Sequence, residues 1–177
     1  MKPDLHPEKH SQRTAPVLRL NITINNRNKQ VKEMIRNVRL QDAQALVHIC
    51  ETALKHETDA ATITQRIQEL SSNDSYYIAV YEDDQDHRVL GFIQAERYNL
   101  LYGGNGWNVI ALAVDPETQR QGIGKKLLKS LEEKAAADQY TFIRLNCNVI
   151  REEAHAFYQS MDYTCDKTQK RFIKEIK

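Results

Sequence analysis

One stretch decides the fold: Val109-Ile-Ala-Leu-Ala-Val-Asp-Pro-Glu-Thr-Gln-Arg-Gln-Gly-Ile-Gly-Lys-Lys-Leu-Leu128. It opens as an apolar run of strand length, turns at Asp115-Pro116 and continues beyond Gly124 with a helical pattern. A strand, a glycine-containing turn and a helix N-terminus in this order form a place where a phosphate can bind, because backbone N–H groups are free at the helix start. Gly122 and Gly124 have no Cβ, so a ligand can approach that backbone closely. Taken alone, however, a Gly-x-Gly turn before a helix is more often an ordinary turn.

The composition argues against several broad classes of protein. The chain has 177 residues and a net charge of +1, which argues against a general nucleic-acid or membrane-surface binder. No run approaches the roughly 20 apolar residues of a membrane span, and the first residues lack the apolar centre of a secretion signal. The cysteines, Cys50, Cys147 and Cys165, show neither a disulfide framework nor a metal-ligand spacing. We therefore predict a cytoplasmic protein with no metal site and no nucleic-acid or membrane partner.

The chain divides into three segments. Residues 1–17 contain three prolines and few apolar side chains, which is typical of a flexible leader. Within residues 18–33, apolar side chains alternate from Leu18 to Ile24, and this period of two predicts a short extra strand followed by a polar turn. Residues 34–177 form the main domain. An open edge on the strand at 18–24 would allow a homodimer, because unpaired strand edges pair with one another.

The apolar pattern predicts a mixed α/β sheet in the main domain. Strands are expected over residues 34–40, 76–81, 89–96, 107–114 and 141–148, with a closing hairpin over 163–168 and 170–176. Helices are expected over residues 41–53, 59–70, 122–137 and 152–161. The second and third strands should form an antiparallel hairpin, whereas the fourth and fifth can be parallel because a helix lies between them.

Two motifs in this order carry a family resemblance. The turn reads Gln119-Arg-Gln-Gly-Ile-Gly124, and a later helix contains Ala154-His-Ala-Phe-Tyr158. Arg36 in the opening strand and Asp42 near the first helix add a third feature. Together they resemble the GNAT family, the acyl-CoA-dependent N-acetyltransferases, whose signature is Gln/Arg-x-x-Gly-x-Gly/Ala after a strand and Ala-x-x-x-Tyr in a later helix. The resemblance covers roughly residues 34–177.

The resemblance implies both a fold and a co-substrate. The fold is α/β: a single GNAT domain with a mixed, mostly antiparallel sheet, a splayed parallel pair of central strands and flanking helices. Acetyl-CoA would place its pyrophosphate at the glycine turn and its pantetheine arm along the main chain of the preceding strand. The implied cofactor-binding residues are Leu112, Ala113, Val114, Gln119, Arg120, Gln121, Gly122, Ile123, Gly124, Lys125 and Arg151.

Tyr158 and Glu96 are the candidate catalytic residues. In the family the tyrosine points its hydroxyl at the thioester sulfur. A phenol has a pKa of ~10 against ~8.5 for a thiol, so it stays protonated at neutral pH and can protonate the departing thiolate. Without the glycine turn, a packed tyrosine beside Phe157 would be the better interpretation. Glu96 is the candidate base, although it could equally well be a strand residue that simply faces solvent. The backbone N–H of Val114 would donate a hydrogen bond to the oxyanion.

The acceptor is left open by the sequence. Arg151 stands where many family members have asparagine, and Asp162-Tyr163 replaces the frequent Gly-Phe. The pattern most resembles members that acetylate a small-molecule amine. A protein or peptide acetyltransferase is the alternative enzyme, with the acidic loop Glu82–Asp86 as its only hint. A non-catalytic acyl-CoA-binding sensor is the alternative of another class, against which Tyr158 argues because a sensor needs no proton donor.

Overall fold

The computed structural model describes residues 34–176, and a five-stranded sheet forms the centre of this domain. The strands are β1, Ile35–Asn37; β2, Tyr76–Glu82; β3, Val89–Asn99; β4, Asn105–Val114; and β5, Phe142–Leu145. They lie in sequence order, antiparallel except for the parallel pair β4–β5. The predicted α/β class, the β2–β3 hairpin and the parallel pair are confirmed. The extra strand predicted within residues 18–33 lies outside the described residues.

Four α-helices flank the sheet. They are α1, Ala43–Ile49; α2, Ala60–Ser71; α3, Ile123–Ala137; and α4, Glu152–Gln159. One turn of π-helix, Cys50–Leu54, continues α1. Asp59 begins the second predicted helix, as expected, because its carboxylate accepts the Thr62 N–H at 2.9 Å. Within residues 34–176, no helix is both long enough and apolar enough to cross a membrane.

The sheet separates two apolar cores. On one side α3 packs against the strands, and the core includes Trp107 and Leu127, both fully buried. On the other side lie α1, its π-helical turn and α2, with Ile49 and Val80 at the centre. Because successive strand residues point to opposite faces, each strand serves both cores. We call the two sides the α3 face and the α1–α2 face.

The parallel pair separates partway along its length. Hydrogen-bonded pairing between β4 and β5 ends at Val109 and Leu145, while β4 continues to Val114 beside β3 alone. The register between β3 and β4 shifts at the same level, which leaves Ile110 as an extra residue in β4. Such a bulge bends and twists its strand. We call the opening between β4 and the segment after β5 the fork, with its apex at Val109 and Leu145.

A half-buried arginine fastens β1 to the rest of the domain. Arg36 donates two hydrogen bonds to the Asp42 carboxylate, at 2.8 and 2.9 Å, and a third to Glu82 at 2.5 Å. Asp42 also accepts the backbone N–H of Arg39, at 2.7 Å. This bond begins a 3-10 turn at Leu40, so the first strand ends at Asn37 and not, as predicted, at residue 40.

The predicted closing hairpin is wrong. Residues 163–176 form neither strand nor helix, so β5 is the last strand of the described sheet and the parallel pair lies at its edge, not at its centre. Beyond Tyr163, which packs on the α3-face core, the large apolar side chains of this segment are exposed: Phe172, Ile173 and Ile176. Strand propensity alone does not form a strand when its apolar side chains have nothing to pack against.

Candidate active site

The turn after β4 and the first turn of α3 have the geometry of an anion-binding site. Gly122 precedes the helix with a φ of 79°, in the left-handed region that favours glycine. No side chain caps this helix, and within residues 34–176 the N–H groups of Ile123, Gly124 and Lys125 have no acceptor. Free amides and the positive end of a helix dipole together suit a phosphate group.

The side chains around this turn have different roles. Several side chains of the turn and of the first helical turn are exposed to solvent, namely those of Gln119, Arg120, Gln121 and Lys125. Ile123, by contrast, is 2% exposed and packs in the α3-face core, so only its backbone N–H is available to a ligand. Lys126 donates a hydrogen bond to the Tyr81 hydroxyl at 3.2 Å, and its ammonium lies over the Tyr81 ring. These contacts direct its side chain toward Tyr81.

The main chain of β4 is open toward the fork at alternate residues. The Asp115 N–H donates to the Leu90 carbonyl, at 2.8 Å. Alternation along the antiparallel pair then directs the main-chain groups of Ala113 toward β3, and those of Leu112 and Val114 toward the fork. Leu112 and Val114 therefore have the geometry expected of residues that pair with an extended ligand. The structure does not bring the main chain of Ala113 to the fork.

Helix α4 closes against the start of α3 and the end of β4. A Cβ built on Gly124 would lie 3.6 Å from Phe157 Cζ and 3.7 Å from Val114 Cγ2. The close approach of Phe157 explains its apolar character, since its ring packs on the core. It also places the next residue, Tyr158, beside the fork.

Tyr158 is half-buried on the α3 face, with its ring 5.2 Å from Phe157 and 6.1 Å from Tyr163. Burial raises the pKa of its phenol, nearby Cys147 raises that pKa further, and the charge of Arg151 lowers it. The raised pKa keeps the phenol protonated at neutral pH. Among residues 34–176, no group hydrogen-bonds to the hydroxyl, which leaves the proton available to a ligand. Arg151 itself is exposed at the N-terminus of α4.

Glu96 lies on the opposite face of the sheet. It is half-buried on β3 and accepts a hydrogen bond from Asn108 Nδ2 at 3.0 Å. Asn108 is the cross-strand neighbour of Glu96, and it pairs with Arg144 one step before the apex of the fork. Glu96 and Tyr158 therefore lie on opposite faces of the sheet. Asn108 could not be identified from the sequence alone, because its pairing with Glu96 depends on the register between β3 and β4, which includes the bulge.

Three half-buried tyrosines make the stability of the domain sensitive to alkali. Burial raises the pKa values of Tyr77, Tyr158 and Tyr163 above the ordinary value of 10.0. Above about pH 10 the unfolded chain releases these phenolic protons while the folded protein keeps them. The free energy of unfolding should thus be insensitive to these groups below pH ~10 and fall as pH rises further. Urea unfolding across this range measures the slope; Tyr77→Phe should reduce it, and an unchanged slope would contradict the assignment.

Residues 40–163, more than half of the chain, match the sequence model of the Acetyltransferase (GNAT) family. The chain belongs to the GNAT family. It is accordingly an N-acetyltransferase, of a family that generally takes its acetyl group from acetyl-CoA. None of the curated proteins matches this acetyltransferase.

Solved structures share the fold at low sequence identity. A transcriptional regulator from Bacillus halodurans C-125 superposes with a TM-score of 0.71 at 17% identity, covering 79% of this chain and 98% of the other. An aminoglycoside acetyltransferase from an uncultured soil metagenomic sample gives 0.69 at 20% identity, covering 81% and 95%. Glucosamine-6-phosphate N-acetyltransferase from Arabidopsis thaliana gives 0.69 at 17% identity, covering 80% and 97%. These similarities support the GNAT fold of the acetyltransferase.

Proposed function

We propose that the protein transfers the acetyl group of acetyl-CoA to a primary amine of a small molecule, with Tyr158 as general acid and Glu96 as general base. The observation that supports this proposal is the placement of the two side chains: Tyr158 lies on the α3 face of the sheet and Glu96 on the other face, beside the strand that forms one side of the fork. Attack by the amine requires a base at the nitrogen and departure of the thiolate requires an acid at the sulfur, so the two groups must occupy different positions around the tetrahedral carbon. The two faces of the sheet provide such positions.

The residues at the fork fit an acyl-CoA thioester. The free amides of Ile123, Gly124 and Lys125 suit the pyrophosphate, with Arg120 and Lys125 adding positive charge. The main-chain groups of Leu112 and Val114 can pair with the amides of the pantetheine arm, as a neighbouring strand would. In this arrangement Gln119, Gln121 and Gly122 line the turn, and the exposed Arg151 can bind a CoA phosphate.

The chain's own groups can carry each proton transfer. Glu96 takes a proton from the acceptor ammonium, and the free amine attacks the thioester carbonyl from the α1–α2 face. The oxyanion accepts a backbone N–H of β4, for which we favour Leu112 over the Val114 suggested by the sequence. Val114 lies beside Gly124, at the pyrophosphate end, whereas Leu112 lies closer to the apex. Tyr158 then donates its proton to the departing thiolate, and the nitrogen of the new amide loses its second proton to solvent. Tyr158 and Glu96 return to their starting protonation states by exchange with water.

Glu96→Gln tests the proposed base. The amide keeps the volume of the side chain but cannot accept the ammonium proton, so kcat/KM at neutral pH should fall about 10²-fold to 10³-fold. The rate should recover as pH rises, because a growing fraction of the acceptor is then already neutral. Steady-state kinetics across pH, with CoA thiol release as the readout, measure both effects.

Glu69→Gln is the matched control for this experiment. Glu69 is an exposed residue of α2, away from the fork, and its substitution should leave the pH profile unchanged. A Glu96→Gln enzyme with the wild-type rate at neutral pH would rule Glu96 out as the base.

A lysine-rich protein acceptor is less well supported. The acidic loop that suggested it uses two of its carboxylates internally: Glu82 binds Arg36 and His87, and Asp86 binds Arg88 at 2.6 Å. A panel of small amines and a lysine-containing peptide, each assayed for acetylated product, separates the two enzyme classes. Tight CoA binding without turnover on any amine would instead favour the non-catalytic sensor.

A further inference from the structure

We infer that the acceptor is an amine that also carries an anionic group, a carboxylate or a phosphate, and that Arg144 binds this group. The inference rests on the proposed function and extends it to the class of acceptor. It comes from a polar surface on the α1–α2 face at the apex of the fork. We call this surface the acceptor platform, and it consists of Glu96, Tyr98, Asn108, Phe142 and Arg144.

The sheet register aligns the platform across three strands. Glu96 on β3 is the neighbour of Asn108 on β4, which is the neighbour of Arg144 on β5. The adjacent row contains Tyr98, Gly106 and Phe142. In the intervening positions Trp107 and Ile143 belong to the α3-face core, so both rows point to the other face.

Arg144 is held in place but has no charged partner in the domain. Its guanidinium lies 4.7 Å from the centre of the Tyr98 ring and donates to Asn146 Oδ1 at 3.0 Å. The side chain is half-buried, and within residues 34–176 no carboxylate lies within ion-pair distance of it. A stacked, partly desolvated guanidinium without a counter-ion is well prepared to bind a planar carboxylate or a phosphate.

Aromatic packing fixes the position of this arginine. The Tyr98 and Phe142 rings meet edge to face, with their centres 6.2 Å apart. Gly106 makes this contact possible, since a Cβ there would lie 2.5 Å from the Phe142 ring. The platform is therefore preorganised, which lowers the cost of binding.

The two charges of the platform match an acceptor with two charges. Glu96 and Arg144 stand on strands separated by β4, so their backbones are about 10 Å apart and both side chains lie on the same face of the sheet. An ammonium beside Glu96 and an anion beside Arg144 would give each of these two side chains a partner of opposite charge. An amine without the anion would satisfy only the first, and would leave Arg144 unpaired beside the ligand.

Matched pairs of acceptors test the inference. The wild-type enzyme should acetylate γ-aminobutyrate better than propylamine, or phosphoethanolamine better than ethanolamine, by at least about tenfold in kcat/KM. The pair that shows the preference tells a carboxylate acceptor from a phosphate acceptor. Arg144→Gln should raise KM for the anionic member about 10-fold to 100-fold and leave its neutral counterpart unchanged. Arg144→Lys keeps the charge but loses the planar guanidinium, so its KM for the anionic member should lie between those of the wild type and Arg144→Gln.

Arg97→Gln is the matched control. Arg97 is an exposed arginine of β3 whose neighbour is Trp107, so it lies on the α3 face, and its loss should change neither member of a pair. Calorimetric binding of the anionic amines to the CoA complex provides a readout that needs no turnover, and thermal unfolding verifies that each variant is folded. Equal affinity for charged and neutral amines, unaffected by Arg144→Gln, would overturn the inference and leave the proposed function standing. Arg144-dependent binding without acetylation would support the anion site at Arg144 while overturning the proposed function.

Discussion

Tyr158→Phe is expected to lower kcat by about 10²-fold to 10³-fold while CoA binding changes little. The substitution removes only the hydroxyl, and no group among residues 34–176 hydrogen-bonds to that hydroxyl, so the packing against Phe157 and Tyr163 should persist. Without the phenolic proton, the thiolate must leave unprotonated or wait for water. Steady-state thiol release gives kcat, and calorimetry with CoA gives the affinity.

Two comparisons sharpen this result. Tyr102→Phe is the matched control, because Tyr102 is an exposed tyrosine in the loop before β4 and its loss should leave kcat unchanged. An acyl donor with a more acidic leaving thiol should reduce the defect of Tyr158→Phe, since such a thiolate needs less help from an acid. A full rate with the phenylalanine enzyme would show that Tyr158 is a packing residue.

Arg36→Met is expected to lower the free energy of unfolding by about 3–5 kcal/mol, because it leaves a buried carboxylate without its counter-ion. Asp42 is 4% exposed, and Arg36 satisfies both of its oxygens. Hydrogen bonds to Asp42, and then to Glu82, raise the pKa of Arg36, so the arginine stays charged. Urea unfolding followed by circular dichroism measures the loss.

A second substitution shows whether the loss of stability comes from the unpaired Asp42 charge or from lost packing of the Arg36 side chain. Adding Asp42→Asn to Arg36→Met removes the charge while the side chain can still accept the Arg39 N–H, so part of the stability should return. Arg66→Met is the control: its pair with Glu69 is exposed on α2, and its loss should cost less than about 1 kcal/mol. Equal effects at Arg36 and Arg66 would contradict the role assigned to the buried pair.

Local sequence patterns predicted most of the elements. The run from Val109 to Leu128 became a strand, a turn and a helix because its apolar period, its Asp-Pro turn and its glycines all act within a few residues. The closing hairpin over residues 163–176 failed because a strand requires a neighbour, and alternation of side chains does not supply one. The same limit applies to β5, which ends where β4 bends away.

The sequence by itself determined the glycine turn at the start of α3 and the helix that carries Tyr158, because both depend on local backbone preferences and on motifs read directly from the chain. Only the tertiary structure decided which face each side chain occupies. The bulge at Ile110 shifts the register between β3 and β4, where Glu96 faces Asn108, and the separate parallel register of β4 and β5 sets Asn108 beside Arg144. Pairing across strands joins residues 12 and 36 positions apart. A shift of one residue would turn those side chains to the other face, so the acceptor side of the site follows from the assembled sheet and not from any single stretch.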